Sequence, residues 1–183
     1  MKVIFVRHGQ TDENVARRHQ PEDTPLSITG RKQAIAVGEL LQLIGVTHVI
    51  SSPLVRTLQT ASLIADQLDM IPSIDHTLAE LVRPRTLTGH THRSWRSVFF
   101  YIRWYSGLTF SGESYRDLRQ RIVQAQTNFN QLPTDATVLV VSHSVFINVF
   151  LAHMCTSRMM SPFKAALTFA RLLRMKNTAV VEL

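Results

Sequence analysis

The sequence predicts an α/β fold, a three-layer α/β/α sandwich with a mostly parallel central sheet and a helical lid insertion. Short apolar runs of strand length alternate with longer segments whose apolar residues recur at helical spacing. Such alternation is typical of a parallel sheet covered by helices on both faces. Each clear strand also ends beside a polar or charged residue, so these side chains are expected to converge at one edge of the sheet.

Length and composition fit a single globular domain spanning residues 1–183. The chain is 45% hydrophobic and 18% charged, which are ordinary globular values. Its early apolar run is too short for a signal peptide or a membrane span. The single cysteine, Cys155, excludes an internal disulfide framework and favours a reducing compartment. We therefore expect a cytoplasmic protein without stable membrane insertion.

The chain is basic, with a formal net charge of +7. This balance is compatible with anionic small substrates, nucleic acid or an acidic membrane surface. No basic run is interleaved with stacking aromatic residues in the pattern of a nucleic-acid-binding module. We therefore expect a small anionic partner and no nucleic acid.

Strand and helix signals place the elements of the first half. Val3–Val6 is interpreted as the first strand and Thr47–Ser51 as the second. Between them we expect a helix capped by Thr29 and closed by Gly45. A further helix is expected to open at Ser52-Pro53, with proline at its favoured first position.

The second half continues the alternation. Ser114 and Asp117 fit a capping box, which predicts that a helix starts there. The run Thr137–Val141 is apolar in its middle and is predicted to be a central strand. The remaining expected elements are a helix to about Met154, a helix over Pro162–Arg174 and a strand over Thr178–Leu183.

The first strand ends on Arg7-His8-Gly9, which delivers an imidazole to the carboxyl edge of the sheet. The planar fork of Arg7 suits phosphate, and Gly9 permits a sharp turn and close approach to a ligand. Followed by Gln10-Thr11-Asp12-Glu13-Asn14, this run resembles the opening signature of the histidine phosphatase superfamily, in its phosphoglycerate-mutase-like branch.

Three further groups repeat the family pattern in chain order, so the resemblance spans nearly the whole chain. They are Asp23-Thr24-Pro25-Leu26-Ser27, Ser51-Ser52-Pro53-Leu54 with Arg56, and Val140-Val141-Ser142-His143. The resemblance implies a metal-independent phosphatase that acts on a small phosphomonoester and needs no cofactor. Phosphoglycerate-mutase-type phosphoryl transfer is the closest alternative. A weakly catalytic module that binds phosphorylated ligands is another.

In this resemblance His8 is the nucleophile and forms a phosphohistidine intermediate. An imidazole attacks only through an unprotonated nitrogen, and neighbouring arginines disfavour its charged form. Arg7 and Arg56 are expected to clamp the phosphoryl group. We expect His143 to donate to a phosphoryl oxygen or to orient His8, and Asn14 to add a donor.

Glu80 is the expected general acid and base, which protonates the leaving oxygen and then accepts a proton from water. That role requires a raised pKa. Burial among Leu78, Leu81 and Val82 would raise the pKa, whereas nearby arginines would oppose this. Glu113 competes for the same role.

Two departures from the family pattern concern the shape of the pocket and the identity of the substrate. Ser144 stands where the family usually has glycine, and it would either crowd the pocket or add a hydroxyl donor. The segment after Glu80 lacks the common Trp-Glu-Gly sequence and carries Arg83 and Arg85 instead. These two arginines either recognise a second anionic group or face solvent.

Residues 83–111 interrupt the alternation. They hold 7 of the 14 aromatic residues, with Arg93, Arg96 and Arg103 interleaved. We expect a helical insertion folded over the sheet edge. Simple packing, a lid over the non-phosphate half of the substrate, and a homodimer or membrane contact remain open. His90 and His92 have the His-x-His spacing of some metal sites, but no carboxylate or cysteine lies close by in sequence, so we expect no metal.

Overall fold

The computed structural model describes residues 1–108, 111–155 and 175–183. Five strands form one sheet in the order β3-β2-β4-β1-β5. They are β1 (Lys2–Arg7), β2 (His48–Ser51), β3 (Ser73–Ile74), β4 (Thr137–Ser142) and β5 (Val180–Glu182). All neighbouring pairs are parallel except β1 with β5. The predicted, mostly parallel sheet with β4 at its centre is therefore confirmed.

Six α-helices accompany the described part of the sheet. They are α1 (Asp12–Val15), α2 (Ile28–Leu41), α3 (Val55–Asp66), α4 (Trp95–Tyr105), α5 (Tyr115–Phe129) and α6 (Ser144–Cys155). No described helix has the length and apolar character needed to cross a membrane. The helix expected over Pro162–Arg174 lies outside the described residues.

Alternate side chains of the strands pack into two separate hydrophobic cores, one on each face of the sheet. Ile4 and Val6 of β1 pack with α2 and α3 on one face. Val3 and Phe5 of the same strand pack with α5 and α6 on the other. This period-two alternation buries both faces of the sheet and confirms the three-layer arrangement.

Two predicted helix starts were wrong. Ser27, not Thr29, caps α2, because its side chain accepts a hydrogen bond from Gly30 N at 3.1 Å. The helix after β2 begins at Val55, with Leu54 in extended conformation as its cap residue. Pro53 therefore lies in the preceding loop. The capping box of Ser114 and Asp117 at the start of α5 is confirmed.

The insertion contains α4, which has two distinct faces. Tyr101 and Trp104 point inward and join the core beneath α5 and α6, and Trp104 Nε1 donates to Glu113 O at 3.0 Å. Trp95 and Phe99 are exposed. Packing thus accounts for one face of this helix.

Candidate active site

The sheet brings the two histidines of the family motifs together. Strands β1 and β4 are adjacent and in register, with Arg7 opposite Ser142. The next residue of each strand is a histidine, and His8 N donates to Ser142 O at 3.0 Å. The rings of His8 and His143 lie 5.3 Å apart between centroids. The side chains that follow β1 and β4 therefore lie close together at the carboxyl edge of the sheet, as expected.

The hydrogen bonding of His8 defines its tautomer. His8 is buried, and its Nδ1 lies 2.7 Å from Gly9 O. Because a carbonyl oxygen can only accept, Nδ1 carries the proton of the neutral ring and Nε2 carries the lone pair. Burial, followed by the charges of Arg56 and Arg7, lowers the pKa of His8 well below its usual value. The ring is therefore neutral at pH 7.

The turn after β1 requires glycine. A Cβ added to Gly9 would lie 2.5 Å from Gly30 O, and one added to Gly30 would lie 2.0 Å from Gln10 O. The loop after β1 thus packs backbone to backbone against the first turn of α2. Gly9 N also donates to Thr60 Oγ1 at 3.0 Å, which ties the loop to α3.

Arg7 and Arg56 flank this loop as cations, Arg56 buried and Arg7 half-buried. Arg56 lies in the first turn of α3 and donates from Nη1 to Pro21 O at 3.0 Å. Arg7 donates from Nη1 to Met175 O. Within the described residues, the buried Nε of each arginine has no hydrogen-bond partner. Burial is the main cause that lowers the pKa of Arg56 to about 10, so both side chains stay positively charged at pH 7.

His143 is completely buried and anchored through one nitrogen. Its Nε2 lies 2.8 Å from Ser52 Oγ in the loop before α3. Its Nδ1 is buried and has no partner in the described part of the chain. Burial, followed by the nearby charges of Arg56 and His8, lowers the pKa of His143. Nδ1 is therefore the ring nitrogen left to interact with a ligand.

Asn14 joins the site through its carbonyl oxygen. Asn14 Oδ1 accepts from Thr11 N at 3.2 Å and from Asn177 Nδ2 at 2.9 Å. Asn177 Nδ2 also lies 3.3 Å from His8 O. With its oxygen occupied, Asn14 can serve a ligand only through its amide N–H groups.

Glu80 lies close enough to Arg7 and Arg56 for its charge to act on the pKa of both arginines. Its Oε1 accepts from Leu81 N at 3.0 Å and Phe146 N at 3.3 Å, and its Oε2 lies 3.9 Å from Arg83 Nη2. The side chain is only 10% exposed. Leu78 and Leu81 are buried as expected, but Val82 is 51% exposed and contributes no burial.

Glu113, the expected competitor of Glu80, is bound in a structural ion pair. Arg121 Nε and Nη2 donate to the two carboxylate oxygens of Glu113 at 2.8 and 2.7 Å. Arg121 Nη1 also donates to Thr77 O and Ala79 O at 2.7 and 2.6 Å. This bidentate pair therefore braces the segment that carries Glu80. No sequence pattern indicated Arg121, because the carbonyl groups of Thr77 and Ala79 that it binds lie 44 and 42 residues earlier in the chain.

An open cavity of about 500 Å³ adjoins Glu80 and Arg56. Its wall includes Arg83, Arg85 and His19. Ser144 begins α6 directly after His143 and is half-buried. In the described part of the chain, no group of three or more His, Cys, Asp or Glu residues could hold a metal ion.

Comparison with known proteins relates the chain to phosphoryl-transfer enzymes. It matches the histidine phosphatase superfamily (branch 1) over residues 3–182. It is 33% identical over 159 residues to the probable phosphoglycerate mutase GpmB of Salmonella paratyphi A. The aligned region covers 83% of this chain and 74% of that relative. The protein of the same name from Erwinia tasmaniensis is 35% identical over 159 residues, with the same coverage.

Solved structures share the fold. A mycobacterial glucosyl-3-phosphoglycerate phosphatase in complex with VO3 is similar with a TM-score of 0.77 and 25% identity, covering 99% of this chain and 90% of that chain. YhfR of Bacillus stearothermophilus is similar with a TM-score of 0.79 and 24% identity, and the match covers 99% of this chain and 89% of that chain. These similarities agree with the observed mixed sheet and its helical layers.

Proposed function

The chain belongs to branch 1 of the histidine phosphatase superfamily, and we propose that it hydrolyses a small phosphomonoester through a phosphohistidine intermediate on His8. The observation that carries this proposal is the tautomer of His8. The hydrogen bond from Nδ1 to Gly9 O leaves the lone pair on Nε2. A neutral imidazole held in this way beside two arginines, Arg56 buried and Arg7 half-buried, is a nucleophile prepared for phosphorus.

Arg7 and Arg56 supply the charge that a phosphomonoester requires. Such a group carries close to two negative charges at neutral pH, and each arginine keeps a buried Nε–H without a partner in the described residues. The first turn of α3, which holds Arg56, adds backbone N–H groups that favour an anion. His143 Nδ1 and the amide of Asn14 complete the set of groups for the phosphoryl oxygens.

The reaction follows in two displacements. His8 Nε2 attacks phosphorus in line, the ester P–O bond breaks, and protonated Glu80 gives its proton to the leaving oxygen. Glu80, now a carboxylate, takes a proton from water. That water attacks phosphorus, the P–N bond breaks, and inorganic phosphate leaves with His8 neutral again. Arginine charges that stabilise the equatorial oxygens need no bound metal for this role.

Mutase activity is the second candidate, because the two GpmB relatives carry that name. Both activities share phospho-His8 and differ in the acceptor of the phosphoryl group. A phosphatase transfers it to water, whereas a mutase returns it to the organic substrate. Product analysis with a phosphoglycerate separates the two, since only hydrolysis releases inorganic phosphate.

A module that binds phosphorylated ligands without turnover is the third candidate. Such a module has no need of a nucleophile or a general acid. The oriented lone pair of His8 and the anchored carboxylate of Glu80 therefore favour catalysis over binding alone. Tight binding of phosphate or vanadate without any turnover would instead favour the module.

The deciding experiment measures hydrolysis of p-nitrophenyl phosphate with EDTA present, for wild type, His8→Ala and Glu80→Gln. We expect turnover by wild type, none by His8→Ala and a loss of at least about 100-fold in Glu80→Gln. His48→Ala is the matched control, because His48 lies at the opposite end of the sheet at the start of β2. Turnover that survives in His8→Ala, or that EDTA abolishes, would overturn the proposal.

A further inference from the structure

The outer face of α4 is apolar, basic and exposed, and the packing of the helix's inner face leaves it without a role. We propose that this outer face attaches the protein to the surface of a lipid bilayer that contains anionic lipids, with α4 lying along that surface. The inference is independent of the proposed hydrolysis, which uses no group on this face. It concerns attachment to a surface and not a membrane span, since no described helix has the length and apolar character to cross a membrane.

Four apolar side chains form a row along the exposed side of α4. The row consists of Trp95, Val98, Phe99 and Ile102, which are exposed by between 48% for Val98 and 73% for Trp95. Their spacing of i, i+3, i+4 and i+7 places them on one side of the helix, over a length of about 10 Å. The row borders an open cavity of about 470 Å³ whose wall also includes Leu87 and Phe100. An exposed apolar surface of this extent indicates an interaction site.

The opposite side of α4 fixes the orientation of this row. Ser97, Tyr101 and Trp104 recur at helical spacing on that side and are buried. The two aromatic residues belong to the core beneath α5 and α6, and Trp104 Nε1 donates to Glu113 O at 3.0 Å. The helix could turn its outer row inward only by removing two large aromatic side chains from the core. The row is therefore held toward solvent.

Arginines accompany the row and lie close to its aromatic rings. The guanidinium of Arg96 lies 5.5 Å from the ring centroid of Trp95. That of Arg103 lies 5.2 Å from the ring centroid of Phe99. Arg93, directly before the cap residue of the helix, is exposed. Tryptophan, phenylalanine and arginine are the residues of helices that lie in a bilayer interface, where the rings enter the headgroup region and the cations stay near lipid phosphates.

The charge around the row has a single sign. Residues 81–112 contain five arginines and no aspartate or glutamate, in a chain of net charge +7. An anionic bilayer complements this charge, and each basic residue near its surface strengthens attachment. It also supplies an apolar layer beneath the headgroups, so it matches both components of the face. A second copy of the chain does not, because a two-fold contact would place the arginines of one α4 against those of the other.

The test measures co-sedimentation of the full chain with vesicles of phosphatidylcholine, with and without phosphatidylserine, at low and high salt. We expect binding only to the vesicles with phosphatidylserine, and weaker binding at high salt. Tryptophan fluorescence gives a second readout. Trp104 is already buried, whereas Trp95 is exposed, and the chain has only these two tryptophans. A blue shift upon binding therefore reports that Trp95 enters an apolar environment.

Charge reversal tests the contribution of the arginines. Arg93→Glu/Arg96→Glu should weaken binding to the anionic vesicles by at least about 20-fold. The matched control is Arg31→Glu/Lys32→Glu, which changes the net charge by the same amount at two exposed positions of α2. Because α2 packs on the other face of the sheet from α4, this control should bind nearly as well as wild type.

A serine substitution tests the contribution of the apolar row. Ile102→Ser removes one exposed apolar side chain from it and should weaken binding by about 5- to 10-fold. Leu43→Ser is the control, because Leu43 is 93% exposed in the segment between α2 and β2 and lies outside the row. This control should bind like wild type. Far-ultraviolet circular dichroism confirms that each variant is folded.

Several results would overturn the proposal. These are no binding to anionic vesicles, equal binding to phosphatidylcholine alone, or an equal loss in the two double variants. A dimer in the absence of lipid that Ile102→Ser dissociates would assign the face to a second copy instead. Binding to polyglutamate as tight as binding to the vesicles, with no shift in fluorescence, would assign it to an acidic polymer. None of these readouts uses turnover, so they stand apart from the test of hydrolysis.

Discussion

Arg121 donates two hydrogen bonds, of 2.8 and 2.7 Å, to the carboxylate of Glu113. The same guanidinium donates to the backbone carbonyl of Ala79, the residue before Glu80. Arg121 also stacks over Phe146, at 5.5 Å from the ring centroid. Phe146 N in turn donates to Glu80 Oε1. Arg121 therefore positions Glu80 in two ways: directly through the backbone before Glu80, and through Phe146, whose N–H binds the Glu80 carboxylate.

Replacement of Arg121 by lysine should impair the chemistry of Glu80. Lysine keeps the charge but loses the planar fork, so the Glu80 segment shifts. We expect kcat for p-nitrophenyl phosphate to fall by about 10- to 100-fold, with affinity for vanadate nearly unchanged. Arg116→Lys, an exposed position on the same helix, is the control. An equal loss in both variants would contradict the positioning role.

Ser52→Ala should weaken phosphate binding through His143. The change removes the partner of His143 Nε2 at 2.8 Å and leaves that buried nitrogen unpaired, which costs about 1–3 kcal/mol. We expect a higher inhibition constant for inorganic phosphate. Ser51→Ala is the matched control, because Ser51 is equally buried and bonds to Ser52 O instead. Identical inhibition constants in the two variants would argue against an anchoring role for Ser52.

Gly9→Ala should disrupt the loop that carries His8. The new Cβ would lie 2.5 Å from Gly30 O, which is backbone and cannot rotate away. We expect a loss of about 1–3 kcal/mol in the free energy of unfolding, together with loss of turnover. The comparison is Gly38→Ala, where a new Cβ would also be crowded, by Gln67 Cγ and Cβ at 2.7 and 2.9 Å, but at the contact of α2 with the end of α3. We expect Gly38→Ala to lower the free energy of unfolding while the folded protein keeps its turnover. Full turnover in folded Gly9→Ala would contradict this account.

Acid should destabilise the fold partly through His19. Burial, followed by the charges of Arg83 and the neighbouring histidines, lowers the pKa of His19 to about 3. Below pH 6.5 the unfolded chain takes up a proton at this residue that the folded chain does not. Stability is therefore fully present above pH 6.5 and falls as the pH drops toward 3, by about 1.4 kcal/mol per pH unit for this group.

The measurement compares urea unfolding of wild type and His19→Gln between pH 7 and pH 4.5. In the variant, the free energy of unfolding should change less steeply with pH. The difference in slope should correspond to the uptake of nearly one proton fewer on unfolding, whatever the stability of the variant at pH 7. This slope is the informative quantity, because loss of the bond from His19 Nε2 to Ser97 Oγ at 2.8 Å lowers stability at every pH. Parallel curves would show that His19 does not titrate differently in the two states.

Local sequence determined the strands β1, β2, β4 and β5 and the chemical groups that follow β1 and β4, but it did not indicate the two-residue edge strand β3. The apolar runs of β1 and β4 specify buried strands, and Arg7-His8-Gly9 and Ser142-His143 follow them directly, so their meeting follows from a parallel pairing of the two strands. The capping box of Ser114 was readable for the same reason, since both of its partners lie within one helical turn.

Tertiary structure decided which of several similar groups makes each contact. Glu80 and Glu113 are both acidic residues in loops, and only the fold brings Arg121 to one of them and leaves the other facing Arg83. Ser27 rather than Thr29 caps α2, because hydrogen-bond geometry and not residue type selects between neighbouring hydroxyls. The sequence by itself determined which chemical groups the site contains, whereas ion pairs and backbone contacts set by the tertiary structure decided which of them remain available to react.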